Sequence, residues 1–417
     1  MEPITIAVAG CGSRGQDEYT RDLLNMGDRV RIVAAADIDE EKLCGMREKC
    51  GLPPEQCYPS AEAMLEQPRL ADAMLICTPD ACHYEEAKAA LNKGYHLMLE
   101  KPIAPKAEQC RELSELALRL NRKVVVCHVL RYTPFYQQVK EVMDSGVLGE
   151  ITSIQAIEQV CYWHQAHSFV RGNWRNEGLS SCMILQKCCH DMDILLWLTG
   201  KHCLRVSSFG SLMHFRPENA PQGATERCTD GCPAADQCPY NAVRFYMDKL
   251  RTGGNSWPVN VVAFDPTEEK VMEALRTGPY GRCVYHCDND VVDHQVVTLQ
   301  LEGGTTVDFT MCAFTAHGGR NIRVMGTKGE LLGDLKTSTI RVMPFGGEET
   351  VYDVSALKDN LSAHAGGDAR MVREFVDLVS GAPMSTTLTA IDRSVESHLV
   401  ALAAEASRLD GGRVVSL

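Results

Sequence analysis

ITIAVAGCGSRG, residues 4–15, decides how the first third of this chain folds. Its first six residues are apolar and rich in β-branched side chains, which suits a strand buried on both faces. Gly10, Gly12 and Gly15 follow at the spacing G-x-G-x-x-G. A helix-like stretch, QDEYTRDLLNMG, comes next, and then a second strand, VRIVAAAD, ending in Asp37. Strand, glycine turn, helix, strand and acid in this order make a dinucleotide-binding unit. Gly10 permits the tight turn. Gly12 lets the backbone, with Ser13 and Arg14 beside it, approach a pyrophosphate. Gly15 lets the helix pack close to the strand, and the helix N-terminus offers free N–H groups. Asp37 falls about twenty residues beyond the glycines, where a carboxylate holds a ribose 2′-hydroxyl. It would repel a 2′-phosphate, so NAD is expected rather than NADP.

The alternation continues with ADAMLICTP as strand, HYEEAKAALNKG as helix, YHLMLEKP as strand, AEQCRELSELALRLN as helix and KVVVCHVL as strand. Such alternation predicts an α/β domain with a parallel, doubly wound sheet, whose ligands sit beyond the carboxyl ends of the strands. Cys77, Thr78 and Pro79, then His83, then Glu100, Lys101 and Pro102, and finally His128 fall at or just past those ends. A charged pair at the end of an apolar strand is costly unless a ligand or partner needs it. Oxidising an alcohol needs a hydride acceptor, a base, and a cation near the developing alkoxide. Lys101 suits the last role.

A chain of 417 residues is too long for one ordinary core, so two domains are expected. With 45% hydrophobic and 23% charged residues the composition is soluble and globular. The net charge of −13 and the lack of a dense basic cluster argue against nucleic acid and anionic membrane as partners. The start lacks signal-peptide features and no apolar run approaches a membrane span, so a cytoplasmic location is expected. Most of the 19 cysteines are scattered singly, as at Cys44, Cys127, Cys188 and Cys312, and read as small buried hydrophobes. CTDGCPAADQC differs: Cys228, Cys232 and Cys238 share one loop, with Cys283, His286 or Cys287 as a further ligand. The spacing C-x3-C-x5-C predicts a structural zinc on Cys228, Cys232, Cys238 and Cys283, with an iron–sulfur cluster as the alternative.

Beyond the glycine motif and EKP, HVLRYTPFY, HSFVRGNWRN, KCCHDMDILLWLTG, NDVVDHQVV and HAGGDARMVREF resemble the glucose–fructose oxidoreductase and inositol dehydrogenase (Gfo/Idh/MocA) family. The resemblance implies a Rossmann domain over 1–129. It also implies an α/β domain over 130–417 with a large, open, mostly antiparallel sheet, here carrying a cysteine-rich insertion at about 214–290. That sheet often makes a subunit interface, so a homodimer or homotetramer is expected. The implied chemistry is NAD(P)-linked redox on a carbohydrate or polyol. Lys101 would lie at the nicotinamide and the reacting hydroxyl, His190 would be the acid/base, and Trp174 and Arg175 would approach the nicotinamide and its ribose.

Read as one helix, SCMILQKCCHDMDILLWLTG places Leu185, Cys188, Met192, Leu195 and Leu196 on a core arc and Gln186, His190 and Asp193 on another. Gln186 stands where family dehydrogenases commonly carry an aspartate. Lys187 is read as a second cation or as a partner of Asp191. The irregular stretch 166–176 offers His167 and Arg171 to the sugar. His128, Arg131 and His364 are further substrate candidates. A linker-like boundary is read near 129–150, strands over 151–163, 204–215 and 291–353, and helices at the C-terminus. Three functions fit: an NAD-dependent sugar oxidoreductase, a redox-neutral NAD-dependent glycosidase, and a dinucleotide-binding sensor without turnover.

Overall fold

The computed structural model describes residues 2–357 and 366–417, so the candidate His364 lies outside the described residues. Six parallel strands form the first sheet: β1 (Ile4–Ala9), β2 (Val30–Ala36), β3 (Cys57–Tyr58), β4 (Ala73–Ile76), β5 (His96–Leu99) and β6 (Val124–Val126). Their order is β3-β2-β1-β4-β5-β6, and the direction of winding switches between β1 and β4. Side chains alternate between two cores. Ala7, Ala9, Met74, Ile76, Leu97 and Leu99 face one. Ile6, Val8, Leu75 and Met98 face the other. A strand buried on both faces needs this continuous apolar run. The two-residue β3 is too short to leave a periodic signal in the sequence.

The second sheet has nine strands: β7 (Ile151–Gln159), β8 (Cys203–Ser211), β9 (His294–Leu301), β10 (Thr306–Cys312), β11 (Gly319–Gly326), β12 (Gly329–Asp334), β13 (Thr339–Pro344), β14 (Thr350–Asp353) and β15 (Val415–Ser416). Their order is β14-β13-β12-β11-β7-β10-β9-β8-β15; β7 and β10 pair in parallel, and the sheet is otherwise antiparallel. The β9–β10 and β11–β12 hairpins fall where the sequence puts them. Val297, Leu299, Val307, Phe309 and Met311 are buried on one face under helices. The opposite face, with Gln155, Asp308, Thr310, Arg323 and Arg341, lines an open depression.

Several expectations are corrected. The segment near 129–150 is no linker. A 3₁₀ turn, Val129–Tyr132, leads into helix Pro134–Asp144, capped by Thr133, whose Oγ1 accepts from the Tyr136 N–H at 3.3 Å. The strand expected to reach 163 stops at Gln159. Cys161 turns the chain with a φ of +76°, and Tyr162–His164 and a π-helical turn, Gln165–Arg171, follow. The first half of 166–176 is therefore wound, not irregular. The single helix expected over 181–200 is two, Met183–Gln186 and Cys189–Thr199, with Cys188 near φ −100° and ψ 6° between them. The longer of the two is buried nearly all round, His190 and Asp193 included. Its polar arc thus faces other elements rather than solvent.

The chain end returns to the first sheet. Met371, Val372, Phe375 and Val376, from helix Gly367–Val379, join the core of Ile6 and Val8. Thr389 pairs with β6, its carbonyl accepting from the Val126 N–H at 2.8 Å and its hydroxyl donating to the Val126 carbonyl at 2.6 Å. No helix among the described residues is long and apolar enough to cross a membrane.

Arg131 joins the end of the first domain to helix Cys189–Thr199. Its guanidinium donates to both carboxylate oxygens of Asp193, at 2.7 and 2.5 Å, with both side chains buried. Removing one partner strands the other charge away from water. Arg131→Met is expected to lower the unfolding free energy by about 3–5 kcal/mol, and Arg131→Met with Asp193→Leu to recover most of that loss. Urea melts of the three proteins test this; equal midpoints for the wild type and Arg131→Met would contradict it.

Candidate active site

The glycine turn has the geometry its spacing suggests. Gly10 has φ +89°, and a Cβ there would lie 2.5 Å from the Cys77 carbonyl oxygen at the end of β4. A Cβ on Gly15 would lie 1.9 Å from the Gly10 carbonyl oxygen. Only glycine fits either position. A Cβ on Gly12 would meet nothing within 4 Å, so the loop presents open space there. The first turn after it, Ser13–Tyr19, is π-helical, and the Gln16 N–H donates to the Gly12 carbonyl at 2.8 Å. The Asp37 carboxylate borders the loop, accepting from the Cys11 N–H at 2.6 Å and the Asp39 N–H at 2.8 Å. An open glycine face beside a carboxylate at the end of β2 fits a dinucleotide.

Glu100, at the end of β5, is buried and fully used. Arg14 Nε donates to it at 2.9 Å, Tyr19 Oη at 2.5 Å and the Lys101 N–H at 2.9 Å. Burial alone would raise its pKa; the charges of Arg14 and Lys101 and the bonds from Tyr19 and Arg14 outweigh that and hold it below the usual value. Arg14 also donates to Tyr19 and, at 2.6 Å, to buried Asp368. The glycine-loop cation therefore braces the loop against β5 and helix Gly367–Val379. His83 is a second brace: its ring nitrogens lie 2.7 Å from the Pro102 carbonyl and 2.8 Å from the Thr78 carbonyl.

Lys101 points across the seam between the two sheets' domains. Its Nζ donates to the Gln186 carbonyl at 2.8 Å, at the break between the two short helices, and lies 6.0 Å from the Trp174 ring centre. Trp174 Nε1 donates to Asp80 Oδ1 at 3.3 Å, just past Cys77, Thr78 and Pro79; Ser181 donates to the other oxygen at 3.0 Å. Lys101, Trp174 and Gln186 thus converge at the carboxyl end of the parallel sheet.

The His128 ring lies 5.5 Å from that of His190 and 5.3 Å from that of His398. Neither His128 nitrogen has a hydrogen-bond partner among the described residues. Burial, with Arg131 and Lys101 nearby, holds its pKa well below the usual histidine value, so the ring is neutral. Burial likewise pushes His398 down to about 3; its Nε2 accepts from the Ile103 N–H at 2.9 Å.

Some expected ligand residues have other partners. Lys187 pairs with Glu158 at 3.5 Å, not with Asp191. Asp191 is taken by Arg320, which also reaches Glu158 at 2.8 Å. His167 contacts Tyr246 Oη at 2.8 Å and stacks on Tyr280, and burial pushes its pKa down to about 3. Arg171 donates to the Arg282 and Tyr240 carbonyls, each at 2.7 Å. Arg175 pairs with Asp288 at 2.8 Å. These three side chains hold the insertion: the π-helical turn directs His167 and Arg171 toward its aromatic and carbonyl groups, and Arg175, beyond that turn, pairs with its Asp288 carboxylate. Sequence reasoning missed Glu158, Arg320 and His164. Burial first, then Lys187, His167, Arg320 and Lys101, hold the His164 pKa well below the usual value. The available signal was Glu158, a carboxylate on the inward row of a strand with Ile154.

Cys228, Cys232, Cys238 and Cys283 line one cleft, and His286 and Cys287 do not. No three of these sulfurs lie within 4.8 Å of one another. Tetrahedral zinc, with bonds of about 2.3 Å, needs its sulfurs about 3.8 Å apart. The single-zinc expectation is therefore not met.

Residues 4–128 match the profile of the Gfo/Idh/MocA oxidoreductase family's NAD-binding Rossmann fold, and residues 140–404 match that of its C-terminal alpha/beta domain. Oxidoreductase YteT of Bacillus subtilis is 22% identical over 392 residues, 89% of this chain and 88% of that protein. Inositol 2-dehydrogenase of Pseudomonas fluorescens is 30% identical over 207 residues, 49% of this chain and 56% of that protein. A crystal structure of an inositol dehydrogenase homolog complexed with NAD+, from Azotobacter vinelandii, superposes with a TM-score of 0.70 at 18% identity, covering 100% of this chain and 98% of that one. With both of its domains matched in order, the chain belongs to the Gfo/Idh/MocA family of NAD-binding oxidoreductases.

Proposed function

We propose that this oxidoreductase interconverts a hydroxyl and a carbonyl on a sugar or sugar derivative, with Lys101 and His190 as its catalytic residues. NAD, when bound, supplies the hydride acceptor. Lys101 offers its ammonium to the developing alkoxide, and His190 takes the hydroxyl proton. Gly12, Ser13 and Asp37 hold the dinucleotide, with Thr78 and Trp174 at the nicotinamide end. His128, held neutral beside His190, adds no competing positive charge. Gln186 orients Lys101 through its carbonyl and keeps its amide for a sugar hydroxyl.

The observation that carries this reading is the 2.8 Å bond from Lys101 Nζ to the Gln186 carbonyl. It brings the cation at the end of β5 to the chain turn that leads into His190. The relatives named inositol 2-dehydrogenase and D-glucoside 3-dehydrogenase support a polyol or sugar as substrate class. The same reading carries the expectation of a cytoplasmic homodimer or homotetramer joined through the open face of the second sheet.

A screen of sugars and glycosides that follows NADH and released aglycone together tests the reaction. Net NADH is expected; aglycone release without net NADH contradicts it in favour of a glycosidase. On the substrate so found, Lys101→Met is expected to lower kcat by about 10²-fold or more while NAD still binds. Unchanged kcat contradicts the role of Lys101. NAD is expected to bind at least about tenfold more tightly than NADP, and Asp37→Ser to narrow the gap. Fluorescence titrations decide this, and a preference for NADP in the wild type contradicts the role of Asp37.

A further inference from the structure

We propose that the cysteine-rich insertion forms the outer wall of the dinucleotide site and holds NAD there between turnovers, with Asn260 as the residue that positions the wall. The proposal rests on the placement of NAD given above and is independent of the substrate.

The wall is the segment 257–264, which carries the short helix Val259–Val262. Val259 is buried in a cluster with Tyr246, Val271 and Leu275, so the segment is rooted in the insertion's own core. Its two ends reach different domains.

One end touches the second domain. The Trp257 ring lies 4.9 Å from that of His164 and 5.3 Å from that of Trp163. From His164 the ring contacts continue to Phe169 at 5.9 Å and from there to Trp174 at 6.2 Å. This end therefore stands against the chain turn that precedes Trp174.

The other end crosses to the first domain. Asn260 Nδ2 donates to Asp17 Oδ2 at 3.0 Å. Asp17 lies in the helical turn Ser13–Tyr19, which starts at the glycine motif. Phe264 reaches helix Glu40–Cys50, just beyond Asp37. A Cβ on Gly45 of that helix would lie 3.2 Å from Phe264 Cζ and 3.0 Å from Gln16 Nε2. Glycine inside a helix is disfavoured. Here it makes room for a ring that belongs to the insertion.

Chain length makes this clasp tight. Trp257 and Asn260 are three residues apart, so their Cα atoms are separated by at most about 11 Å. Within that reach one contact is made on the Trp174 side and the other on the glycine-motif side. A dinucleotide whose pyrophosphate meets Gly12 and whose nicotinamide meets Trp174 joins the same two elements, and it runs alongside the segment. Trp257 and Phe264 remain 39% and 43% exposed. Apolar surface of this kind beside an open glycine face gains by being covered, and the flat rings of NAD suit it. Release of NAD past the wall requires the Asn260–Asp17 bond and the Phe264–Gly45 contact to open.

The test follows NAD dissociation from the full chain, by chasing bound NAD with isotope-labelled NAD in the absence of substrate. Asn260→Asp sets a second carboxylate against Asp17 and is expected to speed dissociation at least about tenfold. Asn260→Asp combined with Asp17→Asn restores an amide–carboxylate pair and is expected to return the rate to within about threefold of the wild type. Dissociation from Asn260→Asp at the wild-type rate overturns the proposal, and so does a swap that restores nothing. On the wild type, hydrogen exchange of residues 254–267 is expected to slow at least about tenfold when NAD is added. Unchanged exchange overturns the proposal whether or not the variants fold. Wild-type protein that binds no NAD would overturn the cofactor placement itself, and the wall with it.

Discussion

The rest of the structure depends on one buried carboxylate. Glu100 ends an apolar parallel strand, where an unpaired charge could not survive. Arg14 from the glycine turn and Tyr19 from the following helical turn bind it, and Arg14 reaches on to Asp368 in helix Gly367–Val379. Three distant parts of the chain are thereby fixed around the end of β5. Because Glu100 faces inward and is held ionised, the next residue, Lys101, is directed the other way. The anchor is acidic and buried; the Lys101 cation beside it is half-buried at the seam.

The seam is stitched from the second domain as well. Asp193 meets Arg131, Trp174 meets Asp80, and the Gln186 carbonyl meets Lys101. Asp80 and Lys101 from the parallel-sheet domain, and Arg131 just past its last strand, each meet a group from the segment between β7 and β8. The break between helices Met183–Gln186 and Cys189–Thr199 matters here. A continuous helix would have engaged the Gln186 carbonyl within its own ladder. The kink instead presents it to the ammonium.

The parallel sheet was legible because its strands are buried on both faces and its glycines have separate steric duties. The hairpins of the second sheet were legible from period-two alternation around Gly303, Gly304 and Gly329. The breaks were not. Nothing in the composition of SCMILQKCCHDM marks Cys188 as the end of a helical turn, since the kink is set by tertiary contacts. Lys187 has two acidic neighbours, and only the approach of β7 and β11 sets Arg320 between Asp191 and Glu158, so that Lys187 shares Glu158 with Arg320 and does not pair with Asp191. Arg171 and Arg175 illustrate the same limit. Forked donors in a loop suggested a sugar contact for Arg171 and a cofactor contact for Arg175, whereas the π-helical turn aims Arg171 at the insertion and Arg175, beyond it, pairs with Asp288.

The most direct measurement is a crystal structure of the chain grown with NAD. The nicotinamide ring is expected between Trp174 and Lys101. Its reactive carbon is expected to open onto a space bordered by Lys101 Nζ and His190, where a substrate carbon could approach to about 3–3.5 Å. A dinucleotide bound along Gly12 and Asp37 whose ring turns away from both Lys101 and His190 would contradict the account.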